Sequence, residues 1–482
     1  MRTKVVIALL LGLVAWDFAA ATTFVGDDYL FLAFARLEPN PFVAFVRDMH
    51  GGEYYRPVPM LLWAGLDRVG QGAAWPFALA GFLLHVGTAA LVVALGQGVG
   101  FSSRAARLAG VLFLVAPAER EAALWFSAST DLLATLASLA SIVCLLCGSR
   151  RSRVASVALA ALAYFSKETA LVLPLLAVAA LGAVRPRRFS WRETILAVLP
   201  HLLVAVGYLW ARFTVLHGLG GTNDPLAPWW GRGLQLVAGL VHALAGNGPI
   251  PEALAWLVGG GALLMAGGLA VRARAWFPVL WIVLALLPLP AAGWVVGARY
   301  FYLPAVGVMF MVALAIQARG TGAAMVAVGL LVALGLPATA TRMGEVRRYG
   351  NVLAAARDAV VTEGQAGHSI FLVRNAVKDL DLALKLTSTG LPQPLLVLPD
   401  VPASFVWMPE VLAEPAGFLL AQPSLPPAGA YRFGGQRIMG LARRQEDPDL
   451  DEVLARLPDL RIIELVAKPD SVTWNDVTPS HR

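Results

Sequence analysis

Hydrophobic residues run along the first 340 positions in long blocks separated by short polar breaks. The blocks fall near residues 5–24, 76–97, 106–118, 128–147, 153–165, 169–184, 192–211, 252–271, 277–291, 300–317 and 322–340. A helix that crosses a bilayer needs about 20 mostly apolar residues, so the pattern predicts about eleven spanning helices. Several blocks are shorter than that, and their ends must be extended or border water-filled cavities. Two other apolar stretches, 57–70 and 232–248, are amphipathic or broken and are expected to lie along the outer interface. Beyond Thr341 the pattern changes. Short β-like runs at 369–373, 394–398 and 461–465, with a helical segment over Asp451–Leu457, predict a small α/β domain. The expected architecture is an α-helical polytopic membrane domain over residues 1–341 and a soluble domain over 342–482.

Composition strengthens the membrane assignment. Of 482 residues, 58% are hydrophobic and only 14% charged, with a mean hydropathy of +0.68. Soluble domains carry about a quarter charged residues. A globule this apolar would present a largely hydrocarbon surface to water. The basic N-terminus and its apolar run are read as an uncleaved first helix, because no convincing cleavage site follows. Two cysteines exclude a disulfide framework, and Cys144 and Cys147 sit within a predicted span, where they are read as packing.

Charge orients the bundle. The net charge of +7 is dispersed in short clusters between spans, so it points to membrane topology rather than to a nucleic-acid partner. Arg104 and Arg107, then Arg150, Arg151 and Arg153, then Arg185, Arg187, Arg188 and Arg192, then Arg272 and Arg274, and finally Arg319 share the side of the N-terminus when spans alternate. The positive-inside rule makes that side cytoplasmic. The opposite loops carry Asp27, Asp28 and Glu38, then Glu119 and Glu121, then Lys167 and Glu168, then Asn223 and Asp224. Parity puts the C-terminal domain on this outer side, periplasmic in a two-membrane bacterium.

Several outer segments could carry chemistry. Adjacent carboxylates at Asp27 and Asp28 repel each other at a membrane boundary, and one could take a proton from a hydroxyl. The plain alternative is a solvated pair that ends a helix. Arg56, within Glu53-Tyr54-Tyr55-Arg56-Pro57, could hold a phosphate headgroup or could snorkel from an aromatic belt. Asp131 stands at the start of an apolar span, where an unpaired charge is costly and a partner is expected. Lys167 and Glu168 occupy a short turn, and the ammonium could neutralise a leaving phosphate or merely hydrate the loop. Arg299 leads into the helix that opens Tyr300-Phe301-Tyr302. Asp17, deep in the first span, needs a polar partner or a cavity, and His85 suggests a helix–helix hydrogen bond. Walker, dinucleotide and HExxH motifs are absent.

Five segments, taken in order, resemble the membrane-embedded GT-C glycosyltransferases, and among them the protein O-mannosyltransferase-like enzymes. These are Phe24-Val25-Gly26-Asp27-Asp28, Tyr55-Arg56-Pro57, Glu121 through Asp131, Ser166-Lys167-Glu168, and Arg299-Tyr300-Phe301-Tyr302-Leu303-Pro304. The match covers roughly the first 305 residues and lacks the tetratricopeptide repeats of some relatives. The resemblance implies inverting transfer of a hexose from a polyprenyl-phosphate donor to a lipid, glycan or protein hydroxyl outside the cytoplasm. It implies Asp28, or else Asp27, as catalytic base, with Lys167, Arg299 and Arg56 meeting the donor phosphate. Glu121, Asp131, Glu168, Tyr300 and Tyr302 would then orient the acceptor or hold the cations. Some relatives use a divalent cation such as Mg²⁺ or Mn²⁺, which the acidic cluster could bind. Two other classes compete: a secondary transporter using Asp17 and Asp131, and a non-catalytic envelope-assembly protein.

Overall fold

The computed structural model describes residues 2–19, 40–47, 54–71, 73–116, 125–184, 190–218, 276–289, 298–317 and 319–333, isolated positions such as Phe24, Asp28 and Phe31, and strands between 370 and 476. The expected span 252–271, the stretch 232–248 and the segment 451–457 lie, apart from isolated positions, outside the described residues. So do Asp27, Glu119, Glu121 and the side chain of Asp17.

Helices occupy most of the predicted blocks. They are α1 (Arg2–Ala19), α2 (Pro57–Gly70), α3 (Trp75–Gly98), α4 (Ser103–Val115), α5 (Ser129–Cys147) and α6 (Arg150–Tyr164). They continue as α7 (Leu173–Val184), α8 (Trp191–Leu216), α9 (Trp276–Leu286), α10 (Tyr302–Gln317) and α11, over residues 321–333. Among the described residues, four helical stretches are long and apolar enough to cross a membrane: Trp75–Gly98, Phe126–Cys147, Trp191–Leu216 and Arg299–Gln317. The 14 residues of α2 extend about 21 Å, too short for a bilayer core of about 30 Å. Of its five buried positions, Pro57, Met60, Trp63 and Ala64 recur at helical spacing, with Pro59 beside them, so one face packs inward.

Local sequence sets the turns. Ser102, Ser149 and Ser190 each accept a backbone N–H from the first turn that follows, capping α4, α6 and α8. Gly148, at φ +73°, ends α5 in the left-handed conformation that a side chain would strain. Together Gly148 and Ser149 reverse the chain within two residues, and α5 and α6 pack against each other. Small residues permit close approach elsewhere. A β-carbon on Gly307 of α10 would stand 2.8 Å from the Pro278 carbonyl oxygen of α9.

The bundle has two poles. At the basic one, Ser102 donates to Gln317 at 2.9 Å, joining the start of α4 to the end of α10. The opposite pole gathers Arg56, Trp125, Asp131, Lys167, Glu168, Arg212 and Arg299, described below. Helix α8 measures the distance between the poles. Its exposed face carries Trp191, Ile195, Leu199, Leu203, Val206 and Trp210. The two tryptophans, 66% and 73% exposed, are separated by about 28 Å along the helix, the thickness of a hydrocarbon core bounded by aromatic belts. Arg212 lies half a turn beyond Trp210, which sets the second pole at a membrane boundary.

Further along the chain come strands β1 (Ile370–Asn375), β2 (Leu395–Pro399), β3 (Tyr431–Phe433), β4 (Gln436–Ile438), β5 (Ile462–Lys468) and β6 (Ser471–Asp476). Strands β2-β1-β5-β6 form one sheet in that order, parallel except for the antiparallel β5–β6 pair. Strands β3 and β4 make a separate antiparallel ribbon.

Candidate functional site

The segment Trp125–Asp131 organises the polar pole. It leaves an extended backbone at Trp125, makes a 3-10 turn over Phe126–Ala128, and enters α5 at Ser129. Each end and the middle hold a different charged partner.

Asp28 is fully buried. Its Oδ1 accepts from the Ser127 backbone N–H and from the Ser127 hydroxyl, both at 2.6 Å. Phe24 and Phe31 flank it in sequence and pack on Trp63, Phe77 and Phe126 at ring-centroid distances of 5.0 to 6.3 Å. Aromatic packing thus fixes the chain on both sides of the carboxylate. A small, shallow recess adjoins this anchor, lined by Leu62, Leu66, Phe77 and Leu132 among others.

Asp131, in the first turn of α5, receives both of its contacts from one ammonium. Lys167 Nζ stands 2.7 Å from Oδ1 and 2.6 Å from Oδ2, with side chains only 3% and 7% exposed. The positive end of the helix dipole favours the carboxylate there. Ion pairing therefore resolves the charge expected to need a partner.

Glu168 is shared by two arginines. Arg56 grips it in a bidentate fork, with Nε donating to Oε2 at 3.0 Å and Nη2 donating to Oε1. Arg212 of α8 places Nη1 at 3.8 Å from Oε2 and donates to the Tyr208 hydroxyl at 3.3 Å. Burial acts to raise the Glu168 carboxyl, but Arg56, with Lys167 and Arg212, overcomes it and holds the pKa at about 2. Burial likewise opposes the Arg56 charge, and Glu168 reverses that effect and pushes its pKa upward. Pro57 at the first helical position and Tyr54, 4.3 Å from the guanidinium, complete the Arg56 setting. The Tyr55 backbone is tied to the bundle, because its carbonyl accepts from Tyr208 at 3.2 Å and its ring stacks on Tyr208.

Arg299 lies between two aromatic faces. Its guanidinium is 4.0 Å from the Trp125 ring and 4.8 Å from the Tyr300 ring. Lys167 also approaches Tyr300, at 4.8 Å, so one ring joins the two cations. Among the described residues the linked groups comprise four cations, Arg56, Lys167, Arg212 and Arg299, and three carboxylates, Asp28, Asp131 and Glu168.

Of the residues expected from sequence, Arg56, Asp131, Lys167, Glu168, Arg299 and Tyr300 meet here, and Asp28 joins them through Ser127. Tyr302 does not. It is buried in the bundle and hydrogen bonds to His85 Nδ1 at 2.8 Å, while His85 Nε2 meets the Leu114 carbonyl at 3.1 Å. Helix packing, not an acceptor, occupies that hydroxyl. Arg212, Ser127 and Trp125 are additional members. Arg212 had a legible signal, a lone charge near the end of an apolar helix, four residues after Tyr208.

The described residues contain no group of three His, Cys, Asp or Glu able to hold a metal ion. The three described carboxylates are instead engaged separately by Ser127, Lys167 and the arginine pair.

No protein-family model and no curated protein matches the chain. Solved structures share its fold. The chain is similar over 97% of its length, and over 93% of the other, to ArnT from Cupriavidus metallidurans in the apo state, at 16% identity and a TM-score of 0.58. ArnT bound to undecaprenyl phosphate gives 15% identity, a TM-score of 0.58, and coverage of 96% and 93%. The archaeal oligosaccharyltransferase AglB from Archaeoglobus fulgidus, in complex with an inhibitory peptide and a dolichol-phosphate, aligns at 12% identity and a TM-score of 0.47, over 80% of this chain and 64% of that one.

Proposed function

We propose that this protein is an inverting glycosyltransferase that moves a hexose from a polyprenyl-phosphate donor to an acceptor hydroxyl on the extracytoplasmic face. The observation that carries the reading is the gathering of Arg56, Lys167, Arg212 and Arg299 at one membrane boundary, set on an ArnT-like fold. A polyprenyl phosphodiester carries one negative charge, is confined to the bilayer by its chain, and presents its headgroup at the boundary where these residues sit. The structure of ArnT with undecaprenyl phosphate supports a lipid-phosphate ligand.

The transfer is one displacement. Asp28, or its neighbour Asp27, takes the proton of the acceptor hydroxyl, and the acceptor oxygen bonds to the anomeric carbon. The bond from that carbon to the phosphate oxygen breaks, and its electron pair leaves with the polyprenyl phosphate. Arg299, Lys167 and Arg56 meet the charge that develops. Attack opposite the leaving group inverts the anomeric centre. Asp131 and Glu168 hold two of these cations in place, a supporting part rather than contact with the acceptor. Residues 342–482 are proposed as a separate extracytoplasmic domain beside the membrane domain over 1–341, with the N-terminus in the cytoplasm.

Purified protein in detergent, given radiolabelled polyprenyl-phosphate hexose and candidate lipid, glycan and protein acceptors, should transfer label. The double variant Asp27→Asn with Asp28→Asn should abolish transfer while remaining folded. Undiminished transfer by that variant refutes the base. Substrate accumulation in proteoliposomes without sugar transfer refutes the enzyme reading in favour of transport. A C-terminal reporter found in the cytoplasm refutes the orientation.

A further inference from the structure

Among the described residues, three buried side-chain polar atoms have no hydrogen-bond partner: Ser138 Oγ, His201 Nδ1 and Trp125 Nε1. Ser138 and His201 lie in the middle of α5 and α8, within the apolar bundle. Trp125 differs because it stands in the polar pole itself, one residue before the turn that holds Asp28. Buried indole N–H groups ordinarily find an acceptor, and an orphan calls for an explanation. An acceptor oxygen brought by a ligand would supply one.

The surroundings define the ligand. The indole face lies 4.0 Å from the Arg299 guanidinium, so its N–H belongs to the edge of a cationic stack. A donor beside a guanidinium attracts an oxyanion and gives nothing to a hydrocarbon or an ammonium. The neighbouring charges, Lys167 with Asp131 and Arg56 with Glu168, are already paired within the protein. An incoming phosphate therefore gains most from donors not yet engaged.

We propose that Trp125 is a phosphate-contacting residue, donating Nε1–H to a headgroup oxygen while its ring holds Arg299 in position. This inference rests on the lipid-phosphate reading above and adds a neutral donor to the three cations named there. It assigns Trp125 two separable roles, one for the N–H and one for the ring.

The full-length protein in detergent can be titrated with undecaprenyl phosphate and, separately, with undecaprenol, which lacks the phosphate. Wild type should prefer the phosphate. Trp125→Phe keeps an aromatic face and loses only the N–H, and should reduce that preference about tenfold, the worth of one ordinary hydrogen bond. Trp125→Leu loses the ring as well and should reduce it further. Monodisperse elution and an unchanged melting temperature establish that Trp125→Phe is folded, so the test stands even if Trp125→Leu is not. An unaltered preference in Trp125→Phe overturns the inference. Equal weakening toward both lipids also overturns it, because the indole would then only pack. Failure of wild type to prefer the phosphate would instead sink the lipid-phosphate reading, and this inference with it.

Discussion

Replacing Asp131 by leucine would leave the Lys167 ammonium buried without its bidentate partner. The side chains of the pair are 3% and 7% exposed, and both carboxylate oxygens lie within 2.7 Å of Nζ. Exposed ion pairs contribute roughly 0 to 1 kcal/mol. Removing one member of a buried pair costs more, about 3 to 5 kcal/mol, because the survivor keeps its charge without compensation. Glu168, adjacent in sequence, cannot substitute while Arg56 and Arg212 engage it. Asp131→Leu and Lys167→Met are therefore each expected to lose about 3 to 5 kcal/mol, whereas the double variant, with neither charge, should lose far less. Reversible SDS-driven unfolding in mixed micelles, followed by tryptophan fluorescence, gives the three differences. Raising salt should leave them nearly unchanged, since screening acts on exposed charges. Additive costs in the double variant, or single costs below about 1 kcal/mol, would refute the buried pair.

Other outcomes follow from the same geometry. Asp28→Asn keeps an oxygen that can accept both Ser127 donors, so it should fold normally while transfer falls by about 10²- to 10⁴-fold, measured with the labelled donor. Ser127→Ala removes only the hydroxyl donor and should have a smaller effect, near 1 kcal/mol on folding in the same SDS titration. The depressed Glu168 carboxyl, at about 2 against an ordinary 4.5, contributes stability that is complete above pH 4.5 and lost as pH falls toward 2. The stability gap between wild type and Glu168→Gln should thus stay constant from pH 5 to 8 and close only in acid, in a pH series of the same unfolding measurement. Arg299→Lys retains charge but loses the planar stack on Trp125, and should raise KM for the donor several-fold, read from initial rates.

Much of the bundle was legible because burial in lipid imposes a length and a composition on each segment, and α3, α5, α8 and α10 lie on the predicted blocks. Fine boundaries were not. The block 169–184 begins as a 3-10 turn over Glu168–Val172 before α7, and hydrophobicity does not distinguish the two helix types. For the site, sequence placed the charged residues at one pole but could not pair them. Glu168 and Arg56 are 112 residues apart, and Lys167, adjacent to Glu168, turns to Asp131 instead. Side-chain direction at a chain reversal decides such choices. Tyr302 misled for the same reason: two residues after Tyr300 in sequence, it faces His85 rather than the cations.

The seven residues from Trp125 to Asp131 also constrain how this protein can vary. They hold Arg299 at the first position, Asp28 at the third and Lys167 at the seventh. An inserted or deleted residue just before Asp131 would turn it about 100° around the axis of α5, away from Lys167, even if every side chain were retained. Related chains should therefore tolerate changes of residue in this stretch away from Trp125, Ser127 and Asp131, but none of length. A library of single-residue insertions, selected for function, should show a gap across 125–131 flanked by permissive loop positions.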